Sequence, residues 1–206
     1  MMHRSFSRLR GYTAVEVMIA MAMFTIGAAG VMGMQRISTQ ANVDTRRADV
    51  ANQILREWVE RLRRDSLTWT NSAGSPNGLD DTKWLKSSLI TDGLASDAGV
   101  DPTPWILPGG GVPGSAPLGI SPAFDSLGRE LTSSETAMYC VQYRPEWLVS
   151  GDGGASPLIR AEVRVYWSRA IDSSSSVTCV AGVPTGGDTK YHFAYATTTL
   201  RQNIPR

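Results

Sequence analysis

The chain has 206 residues, 42% apolar and 19% charged, a balance too rich in apolar side chains for a disordered protein and sufficient for one ordinary folded domain. Its formal charge is +1; removing residues 1–11 would take away Arg4, Arg8 and Arg10 and leave 17 basic against 19 acidic side chains, so no basic field for nucleic acid remains. Glycine (20) and proline (11) fall mostly beyond residue 70, so the two parts of the chain are built differently.

Residues 1–11 are polar, carry three arginines and no acid, and end in Gly11. Tyr12 to Glu16 follow, then an uncharged run from Val17 to Met34. As a helix, Tyr12 to Met34 spans roughly 35 Å, enough for a bilayer core of about 30 Å. The arginines precede the apolar run, an order that keeps the leader cytoplasmic and sends the rest outward. Glu16 does not fit an ordinary anchor. At the bilayer centre an acid costs about 2.5–3.5 kcal/mol, less near a helix start where the macrodipole favours it, and it calls for a cationic partner.

Arg8-Leu9-Arg10-Gly11 followed by Tyr12-Thr13-Ala14-Val15-Glu16-Val17-Met18-Ile19-Ala20 resembles the class III signal sequence of type IV prepilins. The resemblance implies that a prepilin peptidase cuts after Gly11 and that Tyr12 becomes the N-methylated first residue, tyrosine replacing the usual phenylalanine. It also makes Glu16 the glutamate that meets the new amine of a neighbouring subunit. Two other readings compete: a conventional signal peptide cleaved near Ala28-Ala29-Gly30, and a plain single-span anchor. Neither accounts for both Gly11 and Glu16.

Apolar residues continue at helical spacing through Ile37, Ala41, Ala48, Ala51, Leu55, Trp58 or Val59, and Leu62. Glu57–Arg61 and Glu60–Arg64 are i,i+4 pairs on other faces, and no proline appears before Pro76. One helix of about 80 Å is expected from Tyr12 to near Ser66. Gly27, Gly30 and Gly33 weaken it, but they permit close helix approach, and Ala29 with Gly33 forms a small-xxx-small pair. Major pilins commonly carry a proline here. Its absence, with Ile26-Gly27, Met34-Gln35 and the alanine-rich stripe, is similar to PilV-like minor pilins.

Residues 67–136 read as a loop-rich connection, with a short helix around Asp81–Leu89 as one option. The Gly109–Gly111 cluster lacks the Gly-Lys-Ser/Thr of a phosphate loop, and Asp80-Asp81 lacks an EF-hand pattern. Beyond Ala137 the pattern turns to strand: Met138–Val149, with Pro145 marking an edge or a bend; Ile159–Ser168, the clearest period-two run; and Tyr191–Leu200. Cys140 and Cys179 suit one disulfide in an oxidising compartment, although spacing alone leaves two buried thiols open. Trp58 and Trp167 continue apolar stripes and belong in a core. Trp84 and Trp105, in loop-rich sequence, are the candidates for an interface.

The expected fold is therefore α+β and pilin-like: a long N-terminal helix (about 12–66) packed on a small antiparallel sheet. Its divisions are a leader (1–11), a membrane or filament-core helix (12–34), an amphipathic outer helix (35–66), the loop-rich connection (67–136) and the sheet (137–206). His192 stands without a nucleophile, metal-ligand set or nucleotide loop, so neither an enzyme nor a cofactor is expected. The resemblance implies a minor pilin that waits in the inner membrane and then primes or caps a filament. Its partners would be other minor pilins, the major pilin, the inner-membrane assembly platform, the prepilin peptidase and a tip adhesin. Alternatives are a type II secretion pseudopilin and a secreted or anchored binding domain.

Overall fold

A computed structural model describes residues 12–69, 78–79, 82–85, 91–92, 105–108, 121–132, 137–149, 156–170 and 176–203. Gly11 and the rest of the leader, Asp80-Asp81 and most of the 67–136 connection lie outside them. The chain divides into two compact units, one through Arg46 and one from Arg47 onward.

Helix α1 runs Ala14–Ser66, 53 residues. Thr13 sets its start, its Oγ1 accepting the Glu16 N–H at 3.3 Å, while Thr13 O accepts the N–H groups of Glu16 and Val17. The end tightens into i→i+3 bonds from Leu67, Thr68 and Trp69 to the carbonyls of Arg64, Asp65 and Ser66. From Arg47 onward the helix buries Ala51, Ile54, Leu55, Trp58, Val59, Leu62 and Ser66, a single face at i, i+3, i+4 and i+7 spacing. Ile37 and Ala41, on the same sequence stripe, are exposed.

The expected α+β head is present: the buried face of α1 packs on a sheet whose three long strands are antiparallel neighbours. They are β3 (Tyr139–Val149), β4 (Leu158–Ser168) and β5 (Tyr191–Arg201), in the order β3-β4-β5. Two short strands join the other side of β3: β1 (Thr91–Asp92), which is parallel to it, and β2 (Ala123–Phe124), antiparallel. A four-residue helix α2 (Gly187–Lys190) leads into β5. Residues 82–85 form a bend, not part of the helix considered at Asp81–Leu89, whose remaining residues are outside the described set.

β3 is an inner strand, contrary to the edge considered for Pro145. Val141 and Tyr143 donate their N–H groups away from β4, to Pro122 O and Ile106 O. Pro145, two residues on, turns its N in the same direction, so the ring removes no bond from the β3–β4 ladder.

On the helix side, Tyr139, Val141, Tyr143, Trp147, Ile159, Ala161, Val163, Val165, Trp167 and Leu200 join the α1 stripe in one core, together with Trp69, Leu79, Trp84 and Leu85. The other sheet face is covered as well. Leu107, Leu131, Ala137, Val177 and Cys179 close over Cys140 and Tyr166 in a second, smaller cluster. That cover explains why β4, read as alternating, buries Arg164 and Tyr166 on the face expected to meet water.

The turn between Phe124 and Glu130 is tied to α1 by close approach. Gly128 holds φ +76°, and a Cβ there would sit 3.2 Å from Val50 Cγ1. Arg61 joins Glu130 at 3.1 Å as well as its expected helix partner Glu57, whereas Glu60 pairs with Arg63 at 2.8 Å instead of Arg64.

Candidate functional site

The first unit offers one continuous feature. The apolar helix from Ala14 is long and apolar enough to cross a membrane, and none of its most apolar window is buried within the chain. Tyr12, Glu16, Ala20 and Phe24 recur every fourth residue and share one face, flanked by Val17 and Met21. Tyr12 is 82% exposed and Phe24 76% exposed, so this face is fully available to a partner. Glu16 occupies the first turn, three residues after the capping Thr13. Thr13-Ala14-Val15-Glu16 thus has the spacing of a capping box, a signal legible in the sequence that gives Glu16 a local setting beyond any intersubunit role.

Gly27, Gly30 and Gly33 have open space where a Cβ would point. No described residue requires glycine at these three positions. Ala29 is exposed beside them.

The head places the remaining candidates differently. Trp84 is buried, edge-on to Trp58 at 5.2 Å, and its main-chain N–H donates to Asp65 Oδ2 at 2.7 Å. Trp105 is also buried, its ring beneath the guanidinium groups of Arg164 (4.1 Å) and Arg144 (4.7 Å). The expectation of an interface at Trp84 and Trp105 is therefore corrected. The loops that carry them dock on the two faces of the sheet, and the tryptophans are the docking groups. Asp65, which no motif marks, anchors the first loop by accepting the N–H groups of Lys83 and Trp84.

Cys140 and Cys179 form the expected disulfide, with Cα atoms 5.4 Å apart. A polar clamp surrounds it. Gln142 Nε2 donates to the carbonyls of Val180 and Gly182, and Arg164 Nη2 donates to Gly182 O at 2.6 Å. Tyr166 Oη donates to Thr178 O and accepts the Val180 N–H, both at 3.1 Å. Arg164 is 4% exposed and held by carbonyl dipoles and aromatic faces; burial lowers its pKa, and the neighbouring Tyr195 works in the opposite direction. Burial pushes Tyr166 up to about 12, against the lowering effect of the Val180 N–H.

Among the described residues no three His, Cys, Asp or Glu side chains gather as a metal site. His192 stacks on Trp167 with ring centroids 5.4 Å apart. Compared with known protein families, characterised proteins and solved structures, the chain matches none.

Proposed function

We propose that this chain is a non-enzymatic minor pilin of a type IV pilus machine. The head would lie in the periplasm while the apolar first part of α1 spans the inner membrane, and the same helix would later pack into the filament core, priming or capping assembly, with the protein ending at the pilus tip or cell surface. The observation that carries this reading is the exposed Tyr12–Glu16–Ala20–Phe24 face at the start of a 53-residue helix. A carboxylate at the head of a fully apolar surface needs a cation once lipid or protein covers it, and the amine freed by cleavage after Gly11 would supply one from the next subunit. The open space at Gly27, Gly30 and Gly33 supports close helix packing in such a core.

Intact-mass and N-terminal peptide analysis of the protein from its native membrane fraction tests the reading. The expected chain starts at N-methylated Tyr12. A chain starting near Val31, or one still carrying Met1, would remove the pilin assignment.

A further inference from the structure

Four side chains meet in a square on the sheet face away from α1. Cys140 and Gln142 stand two residues apart on β3, and their register partners on β4 are Tyr166 and Arg164. All four are buried, Arg164 at 4% and the others at 0%. The segment 177–182 crosses over them. Its entry is fixed by the Val177 N–H, which donates to Ala137 O at 2.8 Å, and its exit by Gln142 Nε2 and Arg164 Nη2, both donating to Gly182 O. Between these points lies Cys179, and the Tyr166 hydroxyl holds the peptide unit on each side of it. Oη donates to Thr178 O and accepts the Val180 N–H. Gln142 Nε2 donates to Val180 O as well.

None of these bonds involves sulfur. The three polar side chains therefore grip the segment in the same way whether the Cys179 thiol is free or bridged. Tyr166, which orients both peptide planes of Cys179, is also the cross-strand partner of Cys140. One hydroxyl thus sets the backbone of one cysteine beside the strand position of the other. Two thiols joined only by a flexible connection meet at about millimolar effective concentration, because closure must order the chain between them. A segment already docked by its main chain has given up that freedom, and its thiol meets the other at a far higher effective concentration.

We propose that Tyr166, together with Gln142 and Arg164, is the positioning group for the Cys140–Cys179 bridge: the clamp seats Cys179 against Cys140 before oxidation, and the bridge locks a contact already made. The step is thiol–disulfide exchange with a disulfide oxidant. One cysteine thiolate attacks the oxidant, forms a mixed disulfide and releases a first thiol; the other thiolate attacks the protein sulfur of that mixed disulfide and releases a second. Two cysteine thiols become one S–S bond, and the oxidant's S–S bond becomes two thiols that carry the two protons.

Equilibration of the purified full chain, in detergent micelles, with mixtures of reduced and oxidised glutathione tests this. Equilibrium is approached from both the reduced and the bridged chain, and thiols are alkylated after acid quench and counted by mass. The ratio [GSH]²/[GSSG] at which half the chains are bridged is the effective concentration of the two thiols. For the unaltered chain it is expected above the millimolar range. Tyr166→Phe keeps the ring and its contacts with Tyr191 and Phe193 but removes both bonds around Cys179; it should lower the ratio by about tenfold or more. Ile54→Val loosens the main core on the other face of the sheet, and it should leave the ratio within about twofold. Should Tyr166→Phe fail to fold, Gln142→Ala takes its place, with an expected fall of about threefold or more. An unchanged ratio in Tyr166→Phe, or in Gln142→Ala where that variant replaces it, overturns the proposal. So does an equal fall in Ile54→Val, because the bridge would then report only the stability of the head. The clamp lies wholly within the second unit, so N-terminal processing has no part in this result and the pilin assignment stands or falls separately.

Discussion

The hydroxyl of Thr13 accepts the main-chain N–H of Glu16 at 3.3 Å, so the cap of the apolar helix and the acid within it share one turn. Two roles meet there and two substitutions separate them. Thr13→Ala removes the cap, at a cost of about 1 kcal/mol, and leaves the carboxylate in place. Glu16→Ala keeps the cap and removes the charge. With the helix serving assembly, Glu16→Ala is expected to be cleaved normally by the peptidase yet to be absent from sheared filaments, while Thr13→Ala is still incorporated. Immunoblots of membrane and sheared fractions read both, and unchanged incorporation of Glu16→Ala would remove the assembly role of that carboxylate.

Alkaline pH should loosen the head through two buried tyrosines. Burial raises Tyr166 from 10.0 to about 12, and burial with the negative charge of Asp65 raises Tyr143 further. Both groups hold their protons more tightly folded than unfolded, so their contribution to stability is complete below about pH 10 and is lost as pH rises through the folded values. Melting temperature measured against pH should stay level with respect to these groups up to about 10 and fall steadily above it. Tyr166→Phe should flatten part of that fall, and tyrosinate absorbance of the folded protein should show two rings titrating late.

Trp58 lies at the centre of the main core, fully buried and in ring contact with Trp84 and Tyr143. Trp58→Ala should destabilise the head by about 3–5 kcal/mol in urea unfolding. Its Nε1 finds no acceptor among the described residues. Trp58→Phe, which discards that donor along with some volume, should therefore cost distinctly less than Trp58→Ala.

The disulfide closes a sequence separation of 39 residues, for which loop-closure entropy gives about 4 kcal/mol. The double substitution Cys140→Ser/Cys179→Ser should lower stability by up to that amount. It should not release the chain around Val180, because Gln142, Arg164 and Tyr166 hold the neighbouring carbonyls independently. Retained amide protection at Val180 and Gly182 in the variant is the expected result; full exchange there would show that the bridge alone docks the segment.

The regular elements were legible because their signals are local. The period of the α1 stripe, the alternation of Ile159–Trp167 and the absence of proline before Pro76 depend on neighbours a few residues away. Ile54 widens that stripe, buried beside Leu55 on the same face. The cap of α1 is equally local, since Thr13 and Glu16 stand three residues apart in the sequence. The burial of Trp84 and Trp105 is not legible in the same way. Trp84 and Trp105 lie among glycines and prolines that argue for surface, while their burial depends on Asp65, Trp58, Arg144 and Arg164, far away in sequence and carrying no motif. Arg164 likewise reads as the polar half of an alternating strand, and only the covering loop makes it interior.

The core of the head also orders events in time. The α1 stripe from Ala51 to Leu62 is closed mainly by Tyr139–Trp147, Ile159–Trp167 and Leu200. A ribosome adding about 5–20 residues per second delivers Leu200 on the order of ten seconds after Leu62. For that interval Trp58 and its neighbours have no sheet to rest on. The newly made chain therefore presents the stripe from Ala51 to Leu62 before the strands that cover it exist.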